Sequence, residues 1–215
     1  MKLYVYDHCP FCVRARMIFG LKNIPCDIVI LPNDDETTPI GLIGKKMLPI
    51  LVTDDGETID ESLDIVRHID ETNAVPYLTR SYNPKIDDWI DNASSLIYKL
   101  AVPRWAYSDY PEFKAITSRQ YFIDKKQAVF GNFSDLIKQS PALIADINQA
   151  LVKLDALLVD NQLSDATGSL AEILLFPLLR SLSIVQGIVW PPEVDNWRKR
   201  MAMKSAVPLN DPMAL

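Results

Sequence analysis

Two cysteines three positions apart, Cys9 and Cys12, stand where a strand-like run, Leu3-Tyr4-Val5-Tyr6, hands over to a helix-like run, Val13-Arg14-Ala15-Arg16-Met17-Ile18-Phe19. This junction constrains the fold more than any other stretch. It puts one thiol just before a first helical turn and the other inside it. The N–H groups of a first turn lack intrahelical partners, and the helix macrodipole has its positive end there. Both favour a thiolate, the form of cysteine that attacks disulfides. Pro10 suits a first-turn position, where its missing N–H costs nothing. Cys9, outermost, is the expected attacking sulfur. Cys12, one turn in, is placed to reach back and close an internal disulfide. The spacing is that of a redox motif when it sits near a β-α-β pattern.

A metal site is the competing reading of paired cysteines, but a structural zinc needs four ligands. Beyond the pair the chain offers only Cys26, His8 and His68, with no second paired motif. Three cysteines are also an odd count, unlike the even, dispersed pattern of a secreted disulfide framework. No signal peptide is expected, because Asp7 and His8 interrupt the N-terminus before an apolar stretch develops. The longest apolar region, 173–189, contains Pro177 and Arg180 and reads as a buried helix, not a membrane span. The expected location is the cytoplasm, where ordinary thiols stay reduced and a cysteine pair is catalytic. Net charge is −6, which argues against a phosphate backbone as the main partner. Arg198-Lys199-Arg200 reads as the solvated face of a late helix.

Taken in order, residues 2–6 form a first strand, 12–21 a helix and 26–31 a second, β-branched strand. That order implies a right-handed crossover and parallel pairing. Residues 33–46 read as loop with at most a short helix. A third strand at 49–53 is followed by Asp54-Asp55-Gly56, a hairpin signal, and a returning strand at 57–60. Ser62 opens a helix carrying Leu63, Ile65, Val66 and Ile69. The expected result over 1–72 is a thioredoxin-like α/β domain with a four-stranded mixed sheet. Residues 73–84, with Pro76 and Pro84, read as a linker, and 85–215 as an all-α domain. There, Ile86, Trp89, Ile90, Ala93, Leu96, Ile97 and Leu100 mark one long amphipathic helix ending near Pro103. Ser140-Pro141 is expected to cap and begin another. Ser169-Leu170-Ala171-Glu172 reads as a capping box opening a helix apolar nearly all round, the expected centre of the domain. Val194, Trp197 and Met201 mark a last helix.

An α/β thioredoxin-like domain followed by a helical one resembles the glutathione transferase architecture. The tetrad Cys9-Pro10-Phe11-Cys12 resembles that of dithiol glutaredoxins. The two-domain glutaredoxins of enteric bacteria combine both features, and the chain is similar to them over nearly its whole length. The likeness is carried by Met1-Lys2-Leu3-Tyr4-Val5-Tyr6-Asp7-His8-Cys9-Pro10, by Ala15-Arg16-Met17-Ile18-Phe19-Gly20-Leu21-Lys22-Asn23-Ile24-Pro25, by Glu61-Ser62-Leu63-Asp64-Ile65-Val66 and by Leu175-Phe176-Pro177-Leu178-Leu179-Arg180.

The resemblance implies glutathione-dependent reduction of disulfides and removal of glutathione from mixed disulfides, with glutathione as co-substrate and no permanently bound cofactor. It further implies a cis peptide before Pro49, with the Leu48 backbone pairing with the cysteinyl part of glutathione. Glu61 and Ser62 correspond to the pair that grips the γ-glutamyl end. Their chemistry agrees, since a carboxylate binds an ammonium and a hydroxyl at a helix start binds a carboxylate. Two departures stand out. Phe11 occupies the place of a tyrosine, keeping an apolar rim without the hydroxyl, and Leu48 replaces a β-branched residue.

Two other functions remain open to a chain of this pattern. One is a glutathione transferase acting on electrophiles, with Tyr4 or Tyr6 activating glutathione, in which a resolving Cys12 has no purpose. The other is a non-enzymatic binding protein on the transferase fold. The expected partners are glutathione and disulfide-containing or glutathionylated proteins, with no nucleic acid and no membrane, and the expected state is a monomer. Elsewhere, His8 reads as a loop histidine, Arg14 and Arg16 as solvent-facing, and Cys26 as buried and inert. The four tryptophans read as core and domain-contact residues.

Overall fold

The computed structural model describes residues 1–72, 75–82, 84–160 and 168–215. Strand β1 (Lys2–Val5) leads to helix α1 (Pro10–Leu21), strand β2 (Asp27–Ile30) and the short helix α2 (Thr37–Ile43). Strands β3 (Ile50–Val52) and β4 (Thr58–Ile59) and helix α3 (Ser62–Thr72) follow. The sheet order is β2-β1-β3-β4, with β1 parallel to β2 and antiparallel to β3, and β4 antiparallel to β3. Leu3, Val5, Ile50 and Leu51 are fully buried from the central strands. This is the mixed four-stranded sheet expected from the order of strand and helix patterns.

Among the described residues five α-helices follow: α4 (Lys85–Tyr107), α5 (Ile116–Phe130), α6 (Phe133–Asp160), α7 (Leu170–Leu182) and α8 (Pro192–Ser205). A 3-10 turn over Pro111–Phe113 joins α4 to α5. Helix α4 packs along α6 and α7, and α1 packs against α3 on one side and α7 and α8 on the other. The chain therefore has a thioredoxin-like N-terminal portion and an all-helical remainder, sharing the α1–α7–α8 contact. Helix α7 is buried at almost every position from Ala171 to Leu182, as its all-round apolar pattern predicts.

Several element ends differ from the sequence reading. Helix α4 does not stop near Pro103 but runs through it to Tyr107. The residues around it, Leu100 to Ala106, are all buried, and the Arg104 guanidinium there donates to the carbonyls of Leu100 and Leu215 and to Ser140 Oγ. Ser140-Pro141 starts no helix. It lies within the 28-residue α6, with Ser140 Oγ donating to the Leu136 carbonyl. Proline costs about 3 kcal/mol inside a helix, and burial of Phe133, Leu136, Ile147, Leu151, Leu154 and Leu158 along one face offsets it. The capping box expected at Ser169 does not form. Ser169 makes no side-chain cap, whereas the Glu172 carboxylate accepts from the Gly168 N–H at 3.2 Å and from the Tyr77 hydroxyl at 2.8 Å.

Of the stretch read as a linker, Asn73, Ala74 and Asn83 lie outside the described residues. Its middle is strapped down. The Tyr77 and Leu78 N–H groups donate to the Asp70 carboxylate at 2.6 and 3.0 Å, and the Arg80 N–H donates to the Gly168 carbonyl at 3.0 Å. Gly168 takes φ +98°, and a Cβ there would stand 2.5 Å from the Tyr77 carbonyl oxygen, so only glycine fits this clasp.

A candidate thiol site at the start of α1

The first helix begins at Pro10, with Cys9 as its extended N-cap residue and Pro10 in the first turn. Cys9 is half-buried, and Cys12 is completely buried one turn further on. Both are free thiols. The Cys9 thiol is pulled down to about 6, first by a hydrogen bond from the Cys12 thiol and then by the neighbouring His8, against its own burial. The backbone N–H groups of Phe11 and Cys12, the orphan donors of the first turn, act in the same direction. Cys12 moves the opposite way. Burial pushes its thiol well up, and the adjacent Cys9 adds to this. The Tyr6 N–H donates to its sulfur at 3.4 Å. The outer sulfur is thus the anion and the inner one its proton donor.

Phe11 is 46% exposed, an apolar rim beside the pair, with the Arg14 guanidinium 4.8 Å from its ring centre. The Leu48–Pro49 peptide is cis. Leu48 lines the groove into which Cys9 opens, together with Tyr6, His8, Asn33, Lys46 and residues of α5. Glu61 and Ser62 open α3, where the Ile65 N–H donates to the Glu61 carbonyl at 2.9 Å. Glu61 is exposed and Ser62 buried. So Cys9 and Leu48 share the groove, whereas Phe11, Pro49, Glu61 and Ser62 are not part of its lining.

His8 stands in the loop between β1 and α1, as read, but it does not face solvent. It is buried at 5% exposure among the rings of Tyr6, Trp105, Tyr110, Phe113 and Phe122, whose centres lie 5.0–5.9 Å away. Its backbone N–H and its Nδ1 both reach Glu112 Oε1, at 2.9 and 2.7 Å. Glu112 is 1% exposed and comes from the turn between α4 and α5, 104 residues away. A buried carboxylate is tolerated only when paired, and here it fixes the residue next to Cys9. Sequence reasoning missed Glu112. An acid within Tyr110-Pro111-Glu112-Phe113 hints at burial, but nothing local names its partner.

A second long-range tie holds the same loop. Arg180, buried in α7, donates to the Asp7 carbonyl at 2.6 Å, to the Asp7 carboxylate at 3.1 Å and to the Pro208 carbonyl at 2.7 Å. Arg16 also pairs with Asp7 and is half-buried, as is Arg14, so neither faces open solvent. Burial alone would raise the Asp7 carboxyl, but Arg180 and Arg16 outweigh it and hold it below its ordinary value. Cys26 is half-buried just before β2, not sealed in the core, and burial raises its thiol. Among the described residues no group of three or more His, Cys, Asp or Glu side chains is arranged to hold a metal ion. No described helix is long and apolar enough to cross a membrane.

A paired-thiol helix start on a sheet-plus-helices frame of this kind defines a thiol–disulfide oxidoreductase of glutathione-transferase-like architecture. Residues 85–214 match the family profile described as glutaredoxin 2, C terminal domain, and residues 3–81 match glutathione S-transferase, N-terminal domain. The chain is 45% identical to glutaredoxin 2 of Escherichia coli K12 over 215 residues, 100% of both chains. The structure of glutaredoxin 2 from Salmonella typhimurium in complex with glutathione superposes with a TM-score of 0.96 at 46% identity, covering 100% of this chain and 98% of that one. A glutathione S-transferase from Rhodospirillum rubrum shares the fold, with a TM-score of 0.63 at 16% identity over 99% and 90% of the two chains. The chain belongs to the glutaredoxin 2 family.

Proposed function

We propose that this glutathione-dependent oxidoreductase works through Cys9 as nucleophile and Cys12 as resolving thiol. The observation that carries the reading is the split between the two sulfurs, the outer held at about 6 beside an open groove and the inner kept protonated by burial. Near neutral pH Cys9 is then mostly thiolate, while an ordinary thiol is a few per cent ionised. With a glutathionylated protein, the Cys9 thiolate attacks the glutathione sulfur. The Cys9–glutathione disulfide forms and the protein thiolate leaves. A second glutathione thiolate attacks the bound glutathione sulfur, Cys9 leaves as thiolate, and oxidised glutathione is released. The balance is one free glutathione oxidised and one protein sulfur reduced to a thiol, because the other glutathione sulfur enters already in a disulfide.

With a protein disulfide, Cys9 forms the mixed disulfide and thereby ceases to be an anion. That removes the charge that helped hold the Cys12 proton, and Cys12 then displaces the protein thiol and closes the Cys9–Cys12 disulfide. The reading places glutathione along Leu48 and Pro49, with Phe11 as apolar rim and Glu61 and Ser62 at its γ-glutamyl end. A helix start with a buried hydroxyl suits the carboxylate there. Glutathionylated and disulfide-bonded proteins are the substrates, the cytoplasm is the compartment and the working form is a monomer of two domains, 1–72 and 85–215.

Glutathione-driven turnover of a small mixed disulfide tests the assignment. Cys9→Ser is expected to abolish all activity, while Cys12→Ser keeps deglutathionylation and loses reduction of protein disulfides. Turnover surviving Cys9→Ser would overturn the choice of nucleophile.

A further inference from the structure

The groove beside Cys9 has a charge opposite to that of the molecule. The chain carries −6 overall, yet the groove is lined by Lys46, Lys125 and Lys126 and by no carboxylate. Lys46 is already engaged. Its ammonium donates to the Asn33 carbonyl at 2.6 Å and lies 3.7 Å from the centre of the Tyr121 ring. Lys125 and Lys126, from α5, line the same groove as Leu48 and Cys9. Lys125 lies 5.5 Å from the Tyr121 ring and Lys126 5.8 Å from the Phe122 ring, and among the described residues neither has a carboxylate within ion-pair distance. The nearby acids Glu36, Asp34, Asp35 and Asp124 accept from the Tyr121, Ser118 and Thr38 hydroxyls and from Gln120 and keep their charge, and Glu36, Asp34 and Asp35 act on Lys46, but none of the four lines the groove.

We propose that Lys125 and Lys126 form a subsite for acidic residues flanking the target cysteine, so that the enzyme prefers disulfides set in acidic peptide segments. The inference rests on the reading of Cys9 as nucleophile, because it places the subsite by that sulfur. Two ammonium groups without an ion-pair partner among the described residues, in the lining of a groove on an acidic protein, attract carboxylates and repel basic segments, an effect that favours specificity and association rate. The aromatic faces of Tyr121 and Phe122 keep both lysine stems in place. The net negative charge of the remaining surface repels acidic segments elsewhere, so the attraction is local to the groove.

The test uses the full-length protein and three glutathionylated peptides, identical except for acidic, neutral or lysine residues around the cysteine. In low salt, kcat/KM is expected to fall from acidic to neutral to basic, with acidic over neutral about fivefold, the size of two exposed charge pairs. Salt at ~0.5 M is expected to compress the series, since the screening length there is a few ångströms. Lys125→Gln with Lys126→Gln is expected to erase the preference while leaving turnover of an uncharged small disulfide unchanged. The same peptides with serine for cysteine, titrated by fluorescence or NMR, report the preference as binding without any thiol chemistry. They separate failure of the subsite from failure of the Cys9 assignment. Equal kcat/KM and equal binding across the peptides, or a preference unmoved in the double variant, overturns the proposal. A rise in KM for glutathione, equal on all substrates, overturns it as well, because the lysines would then serve the co-substrate.

Discussion

At the scale of single residues, the site is a division of one proton between two sulfurs. Cys12 lowers Cys9 by donating to it, and burial keeps that donor protonated. Cys12→Ala is therefore expected to move the midpoint of Cys9 alkylation up from about 6, whereas Cys12→Ser, which keeps a hydroxyl donor, moves it less. The pH dependence of iodoacetamide labelling measures both. The same shift acts on stability. Cys9 titrates near 6 folded and near 9 unfolded, so its thiolate stabilises the reduced protein fully above pH 9. That contribution is lost as pH falls through about 6. Cys12, whose folded value is raised, opposes only above its unfolded value near 9. In the window between 6 and 9, reduced wild type is expected to lose more stability on acidification than Cys9→Ser. Urea midpoints at the two ends of the window read the difference. Glu112→Gln weakens the hold of a carboxylate on His8, and with it the electrostatic pull of His8 on Cys9. The Cys9 labelling midpoint is expected to rise in that variant even where its fold, by circular dichroism, is intact.

At the scale of elements, α1 is the part that cannot move. Gly20, near its end, abuts the end of α8 so closely that an added Cβ would fall 1.9 Å from the Ser205 carbonyl oxygen. Two effects compete in Gly20→Ala. Alanine is worth about 1 kcal/mol over glycine in a helix interior, but overpacking against a backbone costs about 1–3 kcal/mol. A backbone carbonyl cannot rotate away as a side chain can, so the clash wins and the variant is expected to be less stable by about 1–2 kcal/mol. A fall in its urea midpoint at unchanged slope checks this. An unchanged or raised midpoint would mean that α8 yields at no cost. Proline shows the same contest in reverse. Both Pro103 and Pro141 read locally as helix boundaries, and both are overridden because the helices containing them bury long apolar faces.

At the scale of the whole molecule, the N-terminal sheet portion and the helices are tied through their charged groups at the thiol loop. Asp7 is held by Arg180 and His8 by Glu112, while away from the thiol loop Asp70 of α3 holds the backbone at Tyr77 and Leu78 and takes the Lys22 ammonium at 3.1 Å. Both ties to the thiol loop come from the helical part, so the loop that carries Cys9 is shaped from outside its own domain. Arg180→Ala leaves Asp7 with Arg16 alone and strips donors from two carbonyls. The expected loss is about 3 kcal/mol, the low end for breaking a buried pair, because Asp7 keeps one partner. Arg180→Lys is expected to recover little, since one ammonium does not span the same three acceptors. Thermal or urea unfolding of the two variants measures both effects.

The sequence alone determined whatever is written in short range. Alternation and helical spacing gave the strands and helices, the cysteine pair at the strand-to-helix junction gave the candidate reactive centre, and the all-round apolar pattern of 170–182 gave the central helix. These follow from the backbone period and from the first-turn electrostatics of a single helix. Tertiary structure decided what depends on partners far along the chain. Glu112 meets His8 across 104 residues and Arg180 meets Asp7 across 173, and no local pattern encodes either meeting. It also brought Lys125 and Lys126 into one groove with Leu48 and Cys9, and carried α4 and α6 through the prolines that locally read as their boundaries. The reason is the same in each case. The energy that settles a buried charge or an interior proline comes from the whole packed surface around it, and that surface exists only once the chain has folded.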